Sequence, residues 1–107
     1  MKIEYRVEKS RRRTVRLTVD EVDEKEFEKL AYRILSFMIR QGLDLVEEDY
    51  DAWLLSGDAT RAGIKTKGGK EIVVEIECDE GSNIADIILI RLLGFIDSMR
   101  VVNRESG

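Results

Sequence analysis

The stretch from Lys70 to Glu80, KEIVVEIECDE, constrains this chain more than any other. Side chains two apart on a strand share a face. One face therefore reads Ile72, Val74, Ile76 and Cys78, and the other reads Glu71, Val73, Glu75, Glu77 and Asp79. The apolar face needs a core and marks an interior strand. The acidic face has three possible fates: it binds a hard cation, it sits under basic neighbours, or it faces water.

The rest of the chain supplies partners for such a strand. Ile3, Tyr5 and Val7 alternate with charges, as do Val15, Leu17 and Val19. Pairing Val7 with Val15, Tyr5 with Leu17 and Ile3 with Val19 makes a hairpin over 1–20 with all six on one face. Asp23 with Glu26 reads as a capping box and Gly42 as a helix stop, which predicts a helix over 23–41. Its core stripe is Phe27, Leu30, Ala31, Ile34, Leu35 and Met38. Residues 43–46 and 50–55 read as two short strands or one bent strand, interrupted by Glu47-Glu48-Asp49, and Ser56-Gly57-Asp58 reads as a turn. Residues 61–67 and 70–79 form a hairpin, and a loop of Lys67-Gly68-Gly69 pairs Ile64 with Ile72, Lys65 with Glu71 and Arg61 with Glu75. That register leaves Glu77 and Asp79 unmatched.

Ser82 or Asn83 caps a second helix that runs to 99 or 102. It is apolar nearly all round, so it needs cover on two sides, and the expected second cover is another copy of the chain. The expectation is a homodimer through the helix over 83–100. Together these elements predict an α+β fold: a mostly antiparallel sheet of five or six strands with two helices packed on it. The domain is single over 1–107, with a basic β-hairpin over 1–20, an α-β-β-β-α core over 21–102 and a polar tail over 103–107.

Composition narrows the chemistry. The chain has no His and one Cys, which excludes Ser–His–Asp and Cys–His catalysis, His-containing metal sites, thiolate zinc sites within one chain and an internal disulfide. Any catalysis uses carboxylates, Lys, Tyr or the lone thiol, and any metal is an oxygen-liganded Mg²⁺, Mn²⁺ or Ca²⁺. Charged residues make up 37% of the chain while Asn and Gln are scarce, a thermophile-like pattern that the absence of Pro opposes. No apolar run follows the first charges, and Asp86, Arg91 and Asp97 break the longest one, so the expectation is a cytoplasmic protein without a membrane partner. Residues 1–19 carry net +5 and the remainder −9, within an overall −4. The hairpin tip Lys9-Ser-Arg-Arg-Arg13, with Arg16 behind it, reads as a phosphate-binding cluster, a solubilising loop, or an arm for the acidic body of a second copy. Trp53, Tyr50, Tyr32 and Tyr5 read as core or interface.

The order helix, antiparallel strands, acidic strand, helix resembles the core of the PD-(D/E)xK nuclease superfamily over residues 23–99. On that pattern Asp58 matches the metal-binding Asp, and Glu75-Ile76-Glu77 matches the tripeptide, with Glu77 at the usual Lys position, as in some restriction enzymes of the superfamily. Glu26 or Glu28 matches the helix carboxylate that some members add, and 101–102 the last strand. The resemblance implies Mg²⁺ or Mn²⁺ held by Asp58, Glu75 and Glu77, which would also be the catalytic residues of a phosphodiesterase. Lys9, Arg11, Arg12, Arg13 and Arg16 would meet nucleic acid. The expected function is thus a small nucleic-acid-associated protein with a divergent or degenerate metal-dependent nuclease-like core. The rival is a non-catalytic homodimeric protein–protein interaction module.

Overall fold

The computed structural model describes the backbone of residues 2–9 and 12–106 and the side chains of 2–7 and 12–99. Six strands form one antiparallel sheet: β1 (Lys2–Lys9), β2 (Arg12–Asp20), β3 (Asp44–Glu48), β4 (Ala52–Gly57), β5 (Thr60–Lys67) and β6 (Glu71–Asp79). Their spatial order is β1-β2-β6-β5-β4-β3, so the chain begins on one edge and β6 lies inside. Helix α1 (Glu24–Arg40) follows β2, and helix α2 (Ile84–Ser106) follows β6. The α+β architecture is as expected, with four strands rather than three between the helices.

Alternation does the sorting. Val15, Leu17 and Val19 of β2, Ile72, Val74, Ile76 and Cys78 of β6, and Ile64 and Leu55 beside them are all fully buried. Ile34 and Met38 of α1, and Ala85, Leu92 and Ile96 of α2, close the same cluster. Both helices therefore cover one face of the sheet and leave the other to solvent. Burying one such aliphatic side chain contributes about 1.5–3 kcal/mol, so this face holds the fold together. Asp23 caps α1 by accepting from the Lys25 N–H at 3.1 Å, and Gly42, at φ 95°, takes the left-handed turn after the Gln41 C-cap.

The β1–β2 register is the expected one, Val7 opposite Val15 and Tyr5 opposite Leu17. The β5–β6 register is not. Ile64 faces Val74, Lys67 faces Glu71 and Arg61 faces Glu77, a shift of two residues from the expectation. The turn sets it: Gly68 and Gly69 both sit at positive φ, and the Lys70 N–H donates to the Lys67 carbonyl at 3.3 Å. The even shift keeps every apolar residue on its face.

Further differences concern the acidic run, the next turn and the second helix. Glu47 and Glu48 belong to β3, beyond a bulge between Leu45 and Glu47. Carboxylates are tolerated there because this is the sheet edge. The turn falls at Asp58-Ala59 rather than at Ser56-Gly57-Asp58, since Gly57 still pairs with Thr60. Helix α2 continues through 101–102, where the resemblance placed a strand, and through most of the segment read as a tail, whose last residue, Gly107, lies outside the described residues. Its second cover comes partly from the same chain: Phe95 stacks on Phe37 of α1 with ring centroids 5.0 Å apart. No helix among the described residues is long and apolar enough to cross a membrane.

Candidate functional site

The acids and the arginines singled out in the sequence meet on neighbouring strands. Pairing of β2 with β6 sets Arg16 opposite Glu75 and Arg12 opposite Asp79. Arg16 Nε donates to Glu75 Oε1 at 2.7 Å, and its Nη2 lies 2.6 Å from the same oxygen. Arg12 Nε lies 2.8 Å from Glu77 Oε1, in a geometry that makes it a charge contact rather than a hydrogen bond, and its Nη2 is 3.9 Å from Asp79. Glu77 also has Arg61 opposite it on β5. These pairs lie on the open face of the sheet, half-exposed, where an ion pair contributes ~0–1 kcal/mol. Their consequence is local charge balance.

Arg13 points the other way, toward the helix layer. Its Nε and Nη2 grip both oxygens of Asp86 at 2.6 and 3.2 Å, tying the hairpin to the first turn of α2. The hydrogen bond that Arg13 donates to Asp86 raises the Arg13 pKa above its already high ordinary value. Asp86 also sits where the helix dipole favours a negative charge. Lys2 is likewise raised by its hydrogen bond to Glu4, 3.2 Å away.

Asp58 lies exposed in the β4–β5 turn, while Glu75 and Glu77 sit on β6, one strand beyond β5. Among the described residues no three Asp, Glu or Cys side chains gather closely enough to hold a metal ion. Glu26 and Glu28 are exposed on the first turns of α1. Arg11 and the Lys9 side chain lie outside the described residues.

Two hollows beside α1 were not singled out in the sequence. One, of about 410 Å³, runs between α1 and α2 and is lined by Lys29, Tyr32, Arg33, Ser36, Arg40, Phe95 and Met99. It has a basic rim and an aromatic and thioether floor, with no carboxylate among the described residues. Arg33 Nη1 reaches the Met99 sulfur at 3.4 Å. The signal was present as the spacing 29, 33, 36, 40, one stripe on the outer side of a helix. The other hollow, about 480 Å³, lies at the opposite flank of α1, where Phe27, Tyr32, Tyr50 and Trp53 meet Glu28 and Asp51. Tyr32 meets Trp53 edge-on at 5.9 Å, and the buried Trp53 indole N–H has no acceptor among the described residues. Such aromatic walls with carboxylates suit a cationic side chain.

Comparison with family models, with curated proteins and with solved structures gave no match to this chain.

Proposed function

We propose that the chain is a non-catalytic, homodimeric protein–protein interaction module that takes an acidic segment of a partner in the groove between α1 and α2. One observation carries the reading: Arg12, Arg13 and Arg16 are engaged by Glu77 and Asp79, Asp86 and Glu75. Glu75 and Glu77, which a nuclease needs free for metal, thus neutralise Arg16 and Arg12, which it needs free for phosphate, and Arg13 is taken by Asp86. The groove between the helices supplies what they do not, three cations around an apolar floor. Lys29, Arg33 and Arg40 complement a carboxylate-rich segment, and Phe95 and Met99 receive its apolar side chains.

A labelled peptide alternating Asp or Glu with Leu and Phe tests this by fluorescence anisotropy. It should bind the wild type, and Lys29→Glu/Arg33→Glu/Arg40→Glu should weaken binding at least about tenfold. Equal binding by the variant would sink the groove.

The second reading is the nucleic-acid-associated protein with a nuclease-like core. Tyr32 and Phe95 favour it, because aromatic rings beside cations are also how single strands are held. A labelled single-stranded oligonucleotide that outcompetes the peptide would establish this reading instead. Thermal melting with Mg²⁺ or Mn²⁺ addresses the core, since an ion that binds only the folded state must raise the midpoint. No rise is expected. A rise lost in Glu75→Gln/Glu77→Gln would restore the metal site.

A further inference from the structure

The two edges of the sheet differ in kind. The β3 edge is five residues long, bulged between Leu45 and Glu47, and carries Asp44, Glu47 and Glu48. A second copy of itself would meet like charge and a broken ladder, both of which protect an edge. The β1 edge is eight residues long and pairs with β2 in unbroken register. Its solvent side presents an unpaired row of backbone donors and acceptors.

Its side chains are also uncovered where they should be packed. Ile3, Tyr5 and Val7 sit on the helix side of the sheet, yet Tyr5 is 68% and Val7 44% exposed. The adjacent flank of α2 adds one exposed apolar side chain. Asp86 binds Arg13 of β2, and Ile90, one turn further along, is 68% exposed on that same flank. Phe95 and Arg91 occupy the opposite flank, against Phe37 of α1 and its C-cap Gln41.

The sequence of β1, KIEYRVEK, identifies the occupant. We infer that β1 pairs antiparallel with β1 of a second copy about a two-fold axis at Tyr5, joining two six-stranded sheets into one of twelve strands. This specifies the homodimer of the reading above and rests on it. In this register Glu4 faces Arg6 of the other copy, Arg6 faces Glu4, Lys2 faces Glu8, Ile3 faces Val7 and Tyr5 faces Tyr5. Each charge meets its opposite and each apolar side chain meets an apolar one. Shifting by two in one direction sets Glu4 against Glu4 and Lys2 against Arg6. Shifting in the other sets Arg6 against Arg6 and Glu4 against Glu8. An odd shift sets charges against apolar residues. A shift by four, centred on Ile3, also sets Lys2 against Glu4 but pairs only the first few residues, so the Tyr5-centred register is the self-complementary one that engages the strand along most of its length. The axis stands perpendicular to the sheet, so both helix layers lie on one side and Ile90 of each copy flanks the aromatic seam. Helix α2 thereby contributes to the dimer from its flank, rather than forming the contact by itself.

Size-exclusion chromatography with light scattering tests the seam through charge. The wild type should be dimeric. Glu4→Arg places two like cations across the seam on each side and should give a monomer, as should Arg6→Glu with two anions. The two single variants mixed in equal amounts should form a heterodimer, and Glu4→Arg/Arg6→Glu should return to a homodimer. Tyr5→Cys offers a second measure should a charge variant not fold: in a glutathione redox buffer it should cross-link to itself, whereas Ile3→Cys should not. A dimer unaffected by Glu4→Arg, or absence of the Tyr5→Cys cross-link in a dimeric protein, overturns the β1 seam and leaves the homodimer intact. A monomeric wild type overturns both.

Discussion

Ile34 and Arg16 are both held by the fold, but at very different energies. Ile34 is fully buried under the sheet at the centre of α1, so Ile34→Ala should lower unfolding free energy by about 2–5 kcal/mol, measured by urea denaturation. Arg16 has its best partner in Glu75, yet both side chains are nearly half exposed. Removing either one should cost less than about 1 kcal/mol in the same experiment. What Arg16 and its neighbours determine is which charges remain available to a ligand. Gly57 shows a third kind of constraint, since a Cβ there would lie 2.7 Å from Leu43 Cδ2, and Gly57→Ala forces that buried side chain to move.

Two hairpins show what a sequence discloses about its elements. In β1–β2 the register follows from matching three apolar residues with three, Ile3, Tyr5 and Val7 against Val19, Leu17 and Val15, since a shift by two leaves one on each strand without an apolar partner. In β5–β6 the same logic fell two residues short. Faces repeat every second residue, so registers two apart satisfy the apolar pattern equally, and the left-handed geometry of Gly68-Gly69 decides between them. The partners of Glu75, Glu77 and Asp79 were hidden for a different reason. They lie on β2, and Arg16 stands 59 residues from Glu75 along the chain. A hairpin is visible in sequence, whereas adjacency of β2 and β6 emerges only from the whole sheet. The sequence offers the basic arm phosphate, solvent or the acidic body of a second copy, whereas the fold sets Arg12, Arg13 and Arg16 against acids of β6 and α2 in their own chain. Arg12→Glu/Arg13→Glu/Arg16→Glu should therefore lower the melting temperature of the isolated protein, because each new anion faces an existing one. An unchanged melting temperature, with only heparin retention lost, would mean that the arm is not part of the folded body.

At the scale of the molecule, the basic first twenty residues and the acidic remainder close on each other during folding, so the net charge of −4 is spread over surfaces far less polarised than the sequence. The strand that seals this closure is β6, bonded on one side to β2 and on the other to β5. Cys78, near its end, is fully buried between Arg13 and Thr60, with its sulfur 3.7 Å from the Ser82 carbonyl. A thiol reagent reaches it only when β6 parts from its neighbours and α2 lifts away, which dismantles the core. Its modification by a small disulfide reagent should accordingly be slowed by the opening equilibrium, with a urea dependence equal to that of global unfolding. Labelling at the rate of a free thiol would mean that this end of the sheet frays. The molecule's single sulfhydryl thus acts as a clock for its rarest state, readable without introducing any probe.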